Sequence, residues 1–323
     1  MSGNSVIIPA VARALRAGAY FLFDGGSPRA AALFRILFGL SLLMLRLSLL
    51  PDLTFFYSSE GLLPNEQLSA HQNDRFWSLL HFVDSPAAVQ AVNAIYLVVL
   101  VSVVAGFYTR PMTVLLFLMT VSFKWRNPLI INMGDEAASV VSFWLMFANS
   151  GYCWSVDAWR RQRARRPLTR WQGTWALRCM QFQLCFIYFC TAMQKLTDPD
   201  WLLGNAMFYV AALVYDWVRP MTAMMDYPLV YKSLTYVTFG FEIAFPCLVW
   251  FRRLRLPMVA MGIVFHLGIA ILLGLHFICW IMIAMLMLFA FPSITPPWAE
   301  GESGGLADDD GSAFSGQEAK TVA

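Results

Sequence analysis

Charged residues are scarce in this chain. They make up 13% of its 323 residues, about half the share of an ordinary soluble domain, while 59% of residues are hydrophobic. A soluble domain cannot bury that much apolar surface, so the composition points to the membrane class. An excess of one sign of charge is lacking too. The formal net charge of +3 is too small to argue for a nucleic acid partner. Cysteine pairs are missing: the six cysteines, at 153, 179, 185, 190, 247 and 279, form no C-x-x-C. Most lie in apolar runs, which predicts buried, reduced thiols, no disulfide framework and no metal site. His71, His81 and His276 are spaced too far apart to read as a metal set. There is no G-x-G-x-x-G, P-loop, H-E-x-x-H or G-x-S-x-G, so soluble-type nucleotide, zinc and serine-hydrolase mechanisms have no support. A signal peptide is also excluded as a reading of "MSGNSVIIPAVARALRAGAY", whose apolar run is broken by Pro9, Arg13 and Arg16. Residues 1–28 read instead as an interfacial amphipathic segment.

What the chain does have is long apolar runs. A bilayer crossing needs about 20 residues, with about 17 as a floor. Spans are expected near 30–50, 88–106, 171–196, 231–250, 256–273 and 276–291. Two shorter candidates, 112–123 and 136–149, flank "KWRNPLIINMGD" and suit a hairpin of short helices around a polar tip. The run 202–218, interrupted by Gly204 and Asn205, reads as amphipathic and lying on the outer surface. Residues 293–323 are rich in Gly, Ser, Asp and Ala and predict a disordered cytoplasmic tail. No internal repeat is visible, and the alternating short strands of a barrel are absent. The expectation is an all-α, polytopic helical integral membrane protein with about eight transmembrane helices and one membrane domain over 29–292.

Lysine and arginine in the loops set the orientation. Arg13, Arg16 and Arg29 precede the first span. Loop 107–111 carries Arg110, loop 151–170 carries six arginines, and loop 251–255 carries Arg252, Arg253 and Arg255. Eight alternating spans put all of these on one side. Loop 51–87, on the other side, holds one arginine against five acids. The arginine-rich side is therefore expected to be cytoplasmic, with both termini inside, and Lys195 faces the outer side.

Charges within spans are costly and each needs a reason. By depth, Arg35, Arg178 and Glu242 group as an inner cluster, and Arg46, Asp135, Glu136 and Lys195 as an outer one. Interhelical ion pairs are one reading of these groups; for Glu242 the other is a carboxyl that titrates or stays protonated. His266, alone on an apolar helix, is either satisfied by a neighbouring group or a neutral imidazole that binds a ligand or relays a proton. Lys195 sits at a span end, where lysines commonly snorkel. The alternative is a chemical role, since burial disfavours an ammonium and frees the neutral amine as base or nucleophile. Asp198 and Asp200 would oppose that if they touched it.

Four stretches in order carry a resemblance: "LFRILFG" (33–39), "CWSVD" (153–157), "FIYFCTAMQKLTDPDW" (186–201) and "FHLGIAILLGLHFICWIMIAMLMLF" (265–289). Together, over about Arg29 to Pro292, they resemble the HTTM family, the membrane domain shared by vitamin K-dependent gamma-carboxylases and many bacterial proteins. The resemblance implies a chemistry. The family's carboxylases use a lysine in K-L-x-x-x-W to deprotonate a vitamin K hydroquinone; oxygen chemistry then makes a strong base that abstracts a proton from a peptide glutamate, and carbon dioxide adds. Lys195 in "QKLTDPDW" matches that lysine, with one extra residue before the tryptophan. His266 matches the histidine of an F-H motif, Glu242 falls where the carboxylases have an acid, and Arg35 matches the arginine of F-R-x-L-F-G. The resemblance thus implies Lys195 and His266 as catalytic residues, Arg35 and Glu242 as cofactor-binding residues, and a vitamin K-type quinol such as menaquinol as cofactor.

The chain departs from the carboxylases at three places. Their W-N-N-H type motif has no counterpart in "KWRNPLIINMGDE", where Gly134 stands nearest to that histidine. Ile269 replaces the polar residue after F-H. The chain stops about 30 residues after the last span, which predicts that the large extracytoplasmic domain of the carboxylases has no counterpart here. Protein carboxylation is the activity most affected by these losses, and oxygenation or epoxidation of a quinone the least. Two functions stand: a membrane lyase or oxygenase using a lipophilic quinol at the extracytoplasmic side, or a non-catalytic membrane partner for the maturation, secretion or immunity of another protein. Transport is weaker, as no inverted repeat is visible. The expected location is the bacterial inner (plasma) membrane, with lipid, a quinone and a peptide or protein as partners.

Overall fold

Apolar runs with few polar side chains fold as helices because each backbone N–H and C=O then finds its partner within the segment. The computed structural model describes residues 4–24, 26–64, 67, 77–83, 85–167, 171–213 and 224–291. The described residues are 78% helix, with no strand among them. Helix α1 (Asn4–Phe23) leads into α2 (Pro28–Ser48), which opens with proline at its first position, where no N–H is needed. A short α3 (Leu53–Tyr57) precedes α4 (Pro86–Ala105). Ser85 caps α4 at its start, and Gly106 (φ 69°) ends it in the left-handed conformation. Then come α5 (Thr109–Arg126) and α6 (Met133–Phe147). The side chain of Asn132 accepts from Gly134 N at 2.8 Å, and Asp135 accepts from Asn132 N at 3.0 Å, fixing where α6 begins.

The second half starts with the arginine-rich α7 (Val156–Arg163) and the long α8 (Thr174–Leu196). Two short helices follow, α9 (Pro199–Leu202) and α10 (Ala206–Leu213). Helices α11 (Pro228–Leu248), α12 (Arg255–Leu273) and α13 (His276–Leu286) close the described chain, α13 continuing as a 3-10 turn over Met287–Phe289. Among the described residues, four stretches are long and apolar enough to cross a membrane: 12–48, 86–105, 174–196 and 255–273. These apolar helices fit an integral membrane protein.

The helices α2, α4, α5, α6, α8, α11 and α12 follow one another as packed neighbours. Helix α13 packs against α2, α6, α8 and α12. Its position follows from its composition: Cys279, Ile281, Met282, Ala284, Met285 and Leu286 are all buried, so the helix is apolar nearly all round. The core is continuous from Phe34 and Phe38 on α2 to Met285 and Leu288 beside them.

Most expected spans are helices within a few residues of the expected ends. The expected hairpin exists, as α5 and α6 packed on each other around a 3-10 turn at Pro128–Ile130. Of the run 202–218, residues 206–213 form α10 against α11, and 214–218 lie outside the described residues. His71 and the tail 293–323 also lie outside them. The thiols are less uniform than expected: Cys185 and Cys279 are buried, Cys153, Cys179 and Cys190 half-buried, and Cys247 exposed.

Candidate functional site

Helix α8 carries a polar stripe on an apolar body. Tyr188, Thr191 and Lys195 recur at helical spacing and so share one face. Lys195, in the last turn, donates to both carboxylate oxygens of Glu242 on α11, at 2.5 Å to Oε1 and closer still to Oε2. The side chains are 16% and 7% exposed, so this is a shielded pair rather than a surface one. The two helices run antiparallel: Phe182 packs on Trp250, Tyr188 on Phe245, and Lys195 meets Glu242. Side chains lean toward the N-terminus of their own helix, so on antiparallel helices these two lean toward each other.

The residues after the lysine build its lid. Asp198 accepts from Asp200 N at 2.9 Å and caps α9, which Pro199 opens. That turn swings the Trp201 ring over Lys195 Nζ, 4.5 Å from its centroid. Tyr236 on α11 donates to Leu202 O at 3.0 Å, and Thr235 accepts from Met207 N at 3.1 Å, fastening α9 and α10 onto α11. The extra residue in K-L-x-x-x-x-W therefore still delivers the tryptophan to the lysine. The ammonium's carboxylate partner is Glu242, and Asp198 acts as a helix cap.

Two turns back along α8, about 10 Å at helical rise, Tyr188 Oη lies 2.8 Å from His266 Nε2 on α12. Tyr188 is 2% and His266 5% exposed. The rings of Phe241, Phe245 and Phe265 close around them. The second imidazole nitrogen, Nδ1, is buried with no partner. Pro246 has no N–H to give the carbonyl of Glu242 four residues earlier in α11.

Arg35 belongs to a different place. It is fully buried and donates to Trp154 O at 2.5 Å, beside Gly106 and the "CWSVD" segment. There, Asp157 accepts from Tyr108 N, Thr109 N and Thr109 Oγ1, at 3.0, 2.7 and 2.8 Å. Burial pushes the Cys153 thiol up, against the pull of Arg35, Arg29 and Arg161, which makes it a poor nucleophile.

The inner cluster expected from depth does not form; of the outer one, Arg46, Asp135 and Glu136 do stand together, without Lys195. Glu242 pairs with Lys195, across the two expected groups. Arg178 donates to Phe21 O at 3.0 Å and to Gln181 Oε1 at 2.7 Å. Arg46 lies among the rings of Phe123, Tyr57 and Tyr96. Glu136 pairs with Lys124 at 2.7 Å. Counting depth along the sequence places Cα atoms, whereas long side chains and the overhang of α11 beyond the end of α8 decide the partners. Tyr188 and Lys124 were missed. Tyr188 had a weak signal, its position seven residues before Lys195 on one face.

A family model, the HTTM domain, matches residues 26–293. The chain belongs to the HTTM family. No curated protein and no solved structure matches it. Within this HTTM domain, Lys195, Glu242, Tyr188 and His266 gather on α8, α11 and α12, while Arg35 is held elsewhere. Gly134, at the start of α6, packs under Phe277 of α13. A Cβ there would lie 2.5 Å from the ring, so no larger residue fits without moving it.

Proposed function

We propose that this HTTM protein binds a lipophilic quinol at the Lys195–Glu242 pair and uses Lys195 as the base of a quinol-dependent oxygenase or epoxidase. The observation that carries this reading is the shielded pair itself, at the position of the family's lysine and roofed by Trp201. In the paired state Nζ holds its proton and is no base. Moving that proton onto a Glu242 oxygen leaves a neutral amine beside a neutral acid, an arrangement that low dielectric favours over separated charges. The amine can then accept a proton from an acidic hydroxyl, and Glu242 can release its own.

The residues fit such a ligand. His266 Nδ1 is a hydrogen-bonding group without a protein partner, and Phe241, Phe245 and Phe265 supply an apolar wall. A quinol, when bound, supplies acidic hydroxyls and an oxidisable ring, with dioxygen as the oxidant. Tyr188 holds His266 in place through Nε2, which leaves Nδ1 to orient a hydroxyl.

This reading places eight helices across a bacterial plasma membrane, with the arginine-rich end and both termini cytoplasmic and the Lys195 site toward the outside. Protein purified in mild detergent should carry a quinone detectable by mass spectrometry, lost in Lys195→Met. Intact protein that retains no quinone, with a stoichiometric protein partner instead, would favour the second reading, a non-catalytic partner in the maturation, secretion or immunity of another protein. The packing of Gly134 under Phe277, which replaces the hairpin histidine, favours that alternative.

A further inference from the structure

At the arginine-rich end, far from Lys195, the loop before α5 and the segment around α7 enclose a cleft of about 530 Å³. Four guanidinium groups line it: Arg110, Arg160, Arg161 and Arg166. The Asp157 carboxylate lines it as well, but is already engaged by Tyr108 N, Thr109 N and Thr109 Oγ1. Four cations against one occupied carboxylate make a site for an anion. Arg161 is fixed there by bonds to Gly151 O and Tyr152 O, and its Nε is buried without a partner. Arg160 stacks over Phe107 and Tyr108 at 5.6 and 5.2 Å.

The backbone around the cleft is strained. Among the described residues, the non-glycine positions with positive φ are Tyr108, Asn149, Trp154 and Arg165. Tyr108 and Asn149 line the cleft, and the other two lie in the same loop and helix end. Left-handed conformations at non-glycine residues cost energy and tend to persist where a ligand site needs them.

An apolar groove of about 470 Å³ continues from the cleft, sharing Arg110, Pro111 and Asn149 with it. Its walls are Val114, Met146, Phe147 and Trp175, from α5, α6 and α8. A soluble anion would have no use for this groove. We infer that the cleft and groove together bind one anionic phospholipid, its phosphate headgroup among the arginines and an acyl chain along Val114 and Phe147. A zwitterionic headgroup would bring its own cation against four others, so the site discriminates by headgroup charge.

Native mass spectrometry of the full chain in a neutral detergent tests this, with dioleoyl phosphatidylglycerol, dioleoyl phosphatidylcholine and inorganic phosphate as probes. One phosphatidylglycerol should be retained, at least about tenfold more tightly than phosphatidylcholine, with two arginines near the headgroup accounting for a loss of that size. The double variant R110Q/R166Q changes exposed residues only and should lose this preference, while R252Q/R253Q keeps it. Val114→Trp fills the groove and should weaken retention with the arginines intact. Equal retention of phosphatidylcholine, unchanged binding in R110Q/R166Q or in V114W, or displacement of the lipid by millimolar phosphate would each overturn the inference.

Discussion

Lys195 donates to both carboxylate oxygens of Glu242, joining the end of α8 to the C-terminal half of α11 beneath the Trp201 ring. With both partners largely shielded, removing one leaves an uncompensated charge. Lys195→Met or Glu242→Met alone should destabilise the protein by about 3–5 kcal/mol, the usual cost of breaking a buried pair. The double variant K195M/E242M should recover most of that loss. A double-mutant cycle from unfolding in mixed detergent measures the coupling, and additive single effects would contradict the shielded pair.

The Tyr188–His266 contact makes a smaller prediction. Tyr188→Phe keeps the ring packing on Phe241 and Phe245 and removes only the hydroxyl. Buried hydrogen bonds in membrane helices are worth roughly 0.6 kcal/mol on average and up to about 1.7. A loss in that range is expected, because His266 then has neither nitrogen satisfied. The nitrogen chemical shifts of His266 should also change, since Nε2 loses its partner. Unchanged shifts would mean that the hydroxyl does not set the imidazole.

Gly134 offers a test of how this chain differs from the carboxylases. A Cβ at this position would meet Phe277 Cδ1 at 2.5 Å. Gly134→His should therefore destabilise by about 1–3 kcal/mol, as overpacking does. Adding Phe277→Ala should relieve part of the clash. If G134H is as stable as the parent, the close approach of α6 and α13 is not what excludes the histidine.

Asp157 joins the "CWSVD" segment to the start of α5, accepting three bonds there. Asp157→Ala should cost about 0.5–2 kcal/mol as a lost cap. Asp157→Asn keeps one of the two acceptor oxygens and should cost less. Thermal unfolding of the two variants, with equal losses, would show that the contact is not a cap.

The helices were legible in the sequence because a run such as 256–273 is apolar except for His266 and Gly274 ends it, so composition and length suffice. The place of α13 was not legible. An 11-residue helix is too short to announce that it will pack against four others, α2, α6, α8 and α12. At the site, Lys195, Glu242 and His266 each stood out as polar groups in apolar runs. Their pairing did not, because Lys195 and Glu242 stand 47 positions apart in the chain, with two short helices between them. Tyr188 stayed hidden among the aromatic residues of "FIYFC", where a phenol looks like core until the imidazole opposite is known. Arg35 showed the reverse: a matched motif position whose partner, the Trp154 carbonyl, is a backbone group that no side-chain pattern reveals.

The account's central claim is that Lys195 works as a base on a quinol. Hydroquinone-dependent oxygen consumption and epoxide formation, measured in membranes, test it most directly. Wild type should turn over. The stability-restored double variant K195M/E242M should be inactive although folded, and R252Q/R253Q should match wild type. Turnover that survives in K195M/E242M would contradict the claim and leave the pair a structural tie between α8 and α11.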